Sequence, residues 1–596
     1  MFSESSAEAE AELLSKDLTK GGVQTRDHVF TLADMPKYSA DNSDDVVNSA
    51  DEVDQLQQQL GGYGRYQILI YVLIGLVYMR GGWHVWIPGL QAYDPGYHCA
   101  ATPGLHLNES VPGKMEKGVW EWDTCKQYTN YSVNNHTEPC TNGWVYLFED
   151  PDTTSIVSDF DLVCDRDYLV TLTSTIYMVG TTCSVIFLTP LSDRFGTKRV
   201  MLVCLWLQAI VGTALVWSGN IIVYSVFKFF IGLFNMTIAL CAYVLMTETF
   251  DAAHREPPTI FMQFFWAMGI MSLALFGYLL PDWGHLELVI ALPINLLSFF
   301  YIWLIPDSLP WLLSKGRTGK AKDVILRFLR VNNLPDIPLL DKTLDKFRKQ
   351  KDEFDIKNTG GQKAPVSADE SQSITGENGG DGRLYTMLDL FKTPRMRINS
   401  LLMFYLFLVN ALAYIGIMYT SPDLNGNRFL NLFLLGVVEV PAYITCFFAN
   451  RFIGRRKTIC GFLFVCGVAN IAALLLPATA GDGSSLEWLQ ITLVMIGKFA
   501  VTGSYSTIYL YAAEVFPTVI RNQAIGASSF FENIGSVAAP SMVLVNDQVN
   551  HLPLGIFGGM TVVGAALVLL LPETHNRPLP HTIEEVEQNG ANKAER

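Results

Sequence analysis

Charge is scarce in this chain. Only 17% of its 596 residues are Asp, Glu, Lys or Arg, against about a quarter in soluble domains. Positive charge is scarcer still, and the net charge is −15. A nucleic-acid partner wants a basic face, so that class is set aside. No Gly-x-x-x-x-Gly-Lys-Ser/Thr loop occurs, which argues against an ATP-driven pump. There is no His-Glu-x-x-His and no cysteine set at metal spacing. An enzyme is therefore not expected, and neither is a metal or other cofactor. A Thr-Val-Gly-Tyr-Gly filter is also missing, which weakens a channel reading. No cleavable signal peptide is visible, because residues 1–60 are polar, with thirteen acids against four Lys/Arg. That stretch reads as a disordered tail.

What the chain has instead is apolar length. Half of it is hydrophobic and 12% is aromatic. Apolar runs near twenty residues recur, each long enough to cross a hydrocarbon core of about 30 Å. The runs predict spans near 66–90, 169–190, 200–218, 221–246, 258–280, 286–305, 398–420, 428–450, 457–477, 486–512, 519–545 and 552–572. The even count puts both tails on one side. The organisation is then an acidic tail at 1–65, span one at 66–90, a loop at 91–168, spans two to six at 169–306, a long loop at 307–397, spans seven to twelve at 398–572, and a tail at 573–596. Short loops around Asp193, Arg194 and Arg199, and around Arg451 and Arg455, are basic, and the 307–397 loop holds seventeen Lys/Arg against thirteen acids. Basic loops stay in the cytoplasm, so both termini are expected there. The 307–397 loop opens with an amphipathic basic stretch from Lys320 to Arg330 and turns Gly/Ser/Glu-rich near 358–383, which reads as mobile. The 91–168 loop then faces outward. It carries glycosylation sequons at Asn108, Asn130 and Asn135, and four cysteines, Cys99, Cys125, Cys140 and Cys164. Four cysteines in an oxidising compartment predict two disulfides with three possible connectivities. The other six cysteines lie in or beside spans and read as packing residues.

The chain also repeats itself. Glu248 precedes Arg255 by seven residues, and Glu514 precedes Arg521 by seven. Glu248 to Glu514 and Asp307 to Glu573 are both separated by 266 residues. The basic loops correspond at an offset of 257, so about nine residues differ between the halves, near 480–487. Lys228 and Lys498 correspond within a helical turn. Two six-span halves in the same orientation describe a rocking carrier with its substrate site between the halves. The repeated charges (Asp193, Arg194, Arg199, Glu248, Arg255, Arg451, Arg455, Glu514, Arg521) are candidates for ion pairs that close the inner face.

These residues resemble the major facilitator superfamily. Asp193-Arg194-Phe195-Gly196-Thr197-Lys198-Arg199 is similar to its signature between spans two and three, with Pro190 where Gly is usual. Closer matches resemble the organic cation, anion and zwitterion transporters. They are Ser155–Cys164, Asp94–Cys99, Pro306-Asp307-Ser308 through Leu313, Ala513–Asn522 and Leu571-Pro572-Glu573-Thr574. The resemblance spans roughly residues 61–588. Gly497–Tyr509 is most like the carnitine-type branch. The resemblance implies an all-α membrane protein of twelve transmembrane helices in two pseudo-symmetric halves, the major facilitator fold. It also implies a plasma-membrane transporter of a small organic cation or zwitterion, carnitine-, amino-acid- or amine-conjugate-like. An organic cation uniporter, or a receptor built on a carrier fold, is the alternative. A coupling ion, proton or sodium, has no site legible in the sequence.

Ionisable groups within spans are the first functional candidates. Arg80, followed by two glycines and His84, suits a carboxylate. Glu439 stands where the resemblance implies an acidic residue of span eight, and suits an ammonium. Together they describe a zwitterion site, or else a salt bridge. Lys228 and Lys498 are ligands or paired structural lysines. Asn533, seven residues before Pro540, stands where cation-selective relatives carry Asp and carnitine-type relatives Arg. Glu532 lies about 100° away around a helix and is not assumed to replace it. Tyr177, Tyr243, Trp266, Phe407, Tyr414 and Tyr505 are candidates for boxing an ammonium. Asn410 and Gln263 are hydrogen-bonding candidates.

Overall fold

The computed structural model describes residues 53–587 apart from 117–118, 131–133, 149, 252–253, 339, 360–386, 421–426, 477–485, 518–519, 544–551, 576–579, 581–582 and 584. Among the described residues, ten helices are long and apolar enough to cross a membrane. In chain order the membrane helices are α1 (Arg65–Trp86), α2 (Tyr168–Phe187), α3 (Thr197–Leu215), α4 (Ile221–Thr247), α5 (Glu256–Leu279), α6 (Trp283–Leu304), α7 (Pro394–Thr420), α8 (Arg428–Phe452), α9 (Arg455–Leu475), α10 (Glu487–Val515), α11 (Arg521–Val543) and α12 (Leu552–Val568). The last two are less apolar or shorter than the ten, and complete the set of twelve. Among the described residues, strands form three two-stranded antiparallel pairs between Tyr97 and Tyr146.

Local chemistry sets the boundaries. Asn220 and Asn427 cap α4 and α8, each side chain accepting from a first-turn backbone N–H. α6 restarts at Pro293, whose ring has no N–H to continue the first segment. The repeat seen in the sequence is repeated in the backbone. Gly196 (φ 102°) and Gly454 (φ 96°) occupy the left-handed region at the same turn of each half, just before α3 and α9. A side chain there would be strained, so the turn requires glycine.

The halves meet along α5 against α8 and α2 against α11. Gly436 on α8 makes the first contact close: a Cβ there would meet Met271 and the Ala267 carbonyl of α5. Small residues let membrane helices approach this way, where packing replaces the hydrophobic drive.

Two elements lie outside the membrane helices but fix their ends. Thr318–Asn332 buries Ala321, Ile325, Phe328 and Leu329, an i, i+4, i+7, i+8 stripe, and is the amphipathic helix expected from Lys320 to Arg330. Its last residue, Asn332, accepts from Tyr66 N (2.9 Å) and donates to Leu60 O (3.0 Å) and Gln67 Oε1 (2.7 Å). The tail expectation is corrected here. Residues 53–58 are helical, Leu56 and Leu60 are buried, and Gln57 donates to Glu248 O (2.7 Å). Two leucines and a glutamine in an otherwise acidic stretch are enough to seat it on the bundle. Residues 1–52 lie outside the described residues, as do the stretches at 360–386 and 477–485, where a mobile segment and most of the repeat's length difference were expected.

The loop after α1 holds two disulfides, Cys99–Cys140 and Cys125–Cys164, one of the three connectivities left open. The six remaining cysteines are not in disulfides. Asn108 is exposed, whereas the side chains of Asn130 and Asn135 lie outside the described residues. The base of the loop is clasped to α6. Thr154 donates to Asp282 (2.7 Å), and the Trp283 indole donates to Asp159 (2.7 Å). Partial burial alone would raise the Asp282 carboxyl. The Thr154 hydroxyl, the backbone N–H groups of His285 and Gly284 and the His285 ring outweigh it and hold Asp282 below its ordinary 3.8.

Candidate functional site

Buried charge collects in two clusters. The first lies inside the first half. Lys228 on α4 pairs with Glu287 on α6 at 3.3 Å, with both side chains buried. Gln91, in the short helix continuing α1, bridges the pair: it accepts from Lys228 (2.8 Å) and from the Tyr224 hydroxyl (3.1 Å), and donates to Glu287 (2.8 Å). Arg80 lies in the same half, fully buried. It donates to Gln208 of α3 (2.7 Å) and Asn235 of α4 (3.3 Å), and Asn235 donates in turn to the Tyr177 hydroxyl (3.1 Å). No carboxylate pairs with Arg80 among the described residues. His84 is buried on the same helix, and neither ring nitrogen has a hydrogen-bond partner among the described residues.

The second cluster lies where the halves meet. Glu439 on α8 pairs with Lys498 on α10 at 2.9 Å, and both are fully buried. Glu439 also accepts from the hydroxyls of Tyr414 (2.5 Å) and Tyr443 (3.1 Å). The Lys498 ammonium stands 3.2 Å from the Tyr414 ring centre and 4.6 Å from that of Trp86 on α1. Trp266 of α5 donates to the Tyr414 hydroxyl across the seam (3.0 Å). The Tyr414 ring lies tilted against that of Tyr505, centres 5.3 Å apart, and the Tyr505 and Tyr509 hydroxyls both donate to Glu532 of α11. Phe407 closes this end, edge-on to Tyr509 at 5.0 Å. Glu532 is 8% exposed and has no cationic partner among the described residues.

The candidates therefore separate. Glu439, Lys498, Trp266, Tyr414, Tyr505 and Phe407 come together. Arg80, His84 and Tyr177 belong to the other cluster, and Arg80 does not pair with Glu439, whose cation is Lys498. Gln263 accepts from Tyr78 (3.4 Å), and Tyr243 packs in the first half. Asn410 and Asn533 donate to their own helices, at Leu406 O (2.8 Å) and Ser529 O (2.7 Å). Sequence reading missed Glu287 and passed over Glu532. The 100° step that turns Asn533 onto its own backbone turns Glu532 onto α10.

At the helix ends, Arg455 pairs with Glu514 (3.1 Å), and Arg456 approaches Glu573 (4.0 Å). Arg255 and Arg521 do the same thing in each half, donating to Phe250 O (3.2 Å) and Phe516 O (3.3 Å). All these contacts stay within one half. Arg194, Arg199 and Arg451 are exposed; the Asp193 side chain lies outside the described residues. Glu248 contributes its backbone carbonyl to Gln57.

Twelve helices in two alike halves, packed around a buried charged seam, define the class: a polytopic membrane transporter. The profile of the Major Facilitator Superfamily matches residues 166–540. An organic cation transporter protein of Drosophila melanogaster is 31% identical over 557 residues, covering 91% of this chain and 95% of its own. Organic cation/carnitine transporter 2 of Mus musculus is 29% identical over 558 residues, covering 90% and 94%. Among solved structures, the inward open conformation of the xylose transporter XylE from E. coli is similar with a TM-score of 0.58 at 13% identity, covering 88% of this chain and 99% of that one. That likeness speaks to the fold alone. The chain belongs to the Major Facilitator Superfamily and, within it, to the solute carrier family 22 organic-ion transporters. Its relatives are transporters, not enzymes.

Proposed function

We propose that this protein is a plasma-membrane carrier for a small organic cation or zwitterion, working by alternating access with both termini in the cytoplasm. The observation that carries this reading is Glu532. A buried carboxylate left without a cation costs several kcal/mol, and tyrosine hydroxyls offset only part of it. Glu532 is held by two of them beside three aromatic rings, which is the chemistry that receives an ammonium. The seam holds two carboxylates and one lysine, so a cationic guest restores neutrality there. The names of the relatives, organic cation and organic cation/carnitine transporters, agree with that charge. Two alike halves that touch along α5–α8 and α2–α11 suit rocking about a central site. The basic loops support a cytoplasmic placement of the termini, and the sequons support an extracellular, glycosylated loop.

The test is uptake of radiolabelled tetraethylammonium and carnitine in cells expressing the full chain, with surface protein measured in parallel. Uptake by the wild type and its loss in Glu532→Gln at equal surface level is the expected result. Normal surface protein without uptake of either compound would turn the reading toward a receptor on a carrier fold.

A further inference from the structure

The Leu304 end of α6 gathers cations from two other elements. The last carbonyls of a helix have no partner within it. Ile302 O accepts from Lys198 at the start of α3 (2.8 Å) and Trp303 O accepts from Arg327 of the helix Thr318–Asn332 (2.5 Å). Leu304 O accepts from the Tyr66 hydroxyl (3.1 Å). Lys198 uses one of its three N–H donors in this way and Arg327 one of its five. Arg199 and Lys320 stand exposed nearby. The charges of Arg327, Arg199 and Lys320 all act on the Lys198 ammonium, opposed by Asp307. Among the described residues, none of these four cations is in an ion pair.

The matching corner of the second half is balanced differently. Arg456 follows Gly454 by two residues, as Lys198 follows Gly196. It donates to Leu569 O (3.4 Å) and Leu571 O (3.2 Å), and Glu573 approaches it at 4.0 Å. The first half has no such close acid at Lys198 among the described residues, and the helix Thr318–Asn332 adds Lys320 and Arg327. That corner holds an excess of positive charge in a chain whose net charge is −15.

An apolar furrow leads away from the cations. Arg199, Val203 and Leu207 recur every four residues, so they form one stripe along α3, and all three are exposed. Phe299 and Trp303 form a second exposed stripe on α6 at the same spacing. Trp206 stacks on Phe299 at 5.5 Å and joins the two walls. Exposed apolar groups on membrane helices face lipid chains, and tryptophan favours the level of the headgroups. A polyvalent cationic corner with an apolar furrow above it has the outline of a phospholipid, not of a soluble anion.

We propose that this corner binds an anionic phospholipid of the cytoplasmic leaflet, a phosphoinositide, with its phosphates on Lys198, Arg199, Lys320 and Arg327 and its acyl chains along the α3–α6 furrow. The leaflet follows from the cytoplasmic placement proposed above. Several cations within reach of one another favour a headgroup with several phosphates over the single net charge of phosphatidylserine. The two arginines suit phosphate oxygens, which they can hold in pairs.

The experiment is binding of dioctanoyl phosphatidylinositol 4,5-bisphosphate to the purified full chain in detergent, read by thermophoresis. Dioctanoyl phosphatidylserine, dioctanoyl phosphatidylcholine and free inositol 1,4,5-trisphosphate are measured beside it. The phosphoinositide is expected to bind most tightly, with each of the others weaker. Arg199→Gln and Lys320→Gln hold no helix end, and each is expected to weaken it about fivefold, the effect of one basic side chain near a charged lipid surface. Both together should weaken it about twenty-five-fold, by the same reckoning. Lys457→Gln is the control, since Lys457 follows Gly454 by three residues as Arg199 follows Gly196. It should leave the affinity unchanged. Melting temperatures check that each variant is folded. Equal affinity for phosphatidylcholine, an unchanged affinity in the folded double variant, or an equal loss in Lys457→Gln overturns the proposal. Trisphosphate bound as tightly as the lipid also overturns it, in favour of a soluble phosphate. Binding is read here without transport, so its failure leaves the carrier reading intact.

Discussion

Lys228–Glu287 and Lys498–Glu439 are the same device used in two ways. Both lysines fall at matching points of the repeat, and both pairs are buried. The first is closed: Gln91 ties acid and base together within one half, and Tyr224 completes the network. The second is open: it sits at the seam, bounded by rings from both halves, and an extra acid stands beside it. A duplicated carrier does not need two equivalent charge sites. On the function proposed above, one copy would serve as a strut and the other would face the guest.

That contrast breaks most decisively at the strut. Lys228→Met or Glu287→Leu alone leaves a lone buried charge, at about 3–5 kcal/mol. Surface protein is expected to collapse in each, and to recover when both are made together, because an apolar replacement of a buried pair is often neutral. Normal surface levels in the single variants would mean that the first pair is no strut. Glu532→Gln should behave in the opposite way, with full surface expression and uptake of a cationic probe reduced at least tenfold, about 1.4 kcal/mol. A folding defect there would erase the distinction between the halves. Trp266→Phe removes one hydrogen bond across the seam, about 1 kcal/mol. It should change apparent KM several-fold with surface level unchanged. The smallest effect is expected far from both clusters. Because its folded value is depressed, the Asp282 carboxylate stabilises the loop clasp above its ordinary 3.8, and that contribution is lost as pH falls through the lowered value. The melting temperature of purified protein should therefore differ little between wild type and Asp282→Asn below that range, and favour wild type above it.

Hydropathy alone located the spans, since twenty apolar residues have few other uses, and the repeat exposed the two halves. The cysteines announced two disulfides without their pairing, because spacing carries no distance. Glu439 and Lys498 were legible as costly intramembrane charges, and Arg80 was too. What sequence could not tell is which charge meets which. Arg80 finds Gln208 and Asn235, neutral amides that look like ordinary helix glue in a one-dimensional reading. Glu287 stands four residues into a helix that starts at Trp283, whereas the span was read from 286, and it was not singled out. Glu532 was discounted by comparison with its neighbour, although the rotation that separates them is what aims it at α10.

The clasp of Thr154 and Asp159 to Asp282 and Trp283, with Phe160 packed on Tyr224 and Trp283, fixes the end of the disulfide-bonded loop to the first half, while Tyr93 at its start meets Arg428 of α8. A fluorophore or antibody fragment fixed near Asp159 would therefore follow the first six helices. Paired with a second label on the opposing helices, it would serve as a pointer whose distance change reads the stroke that the alternating-access proposal requires, in single molecules.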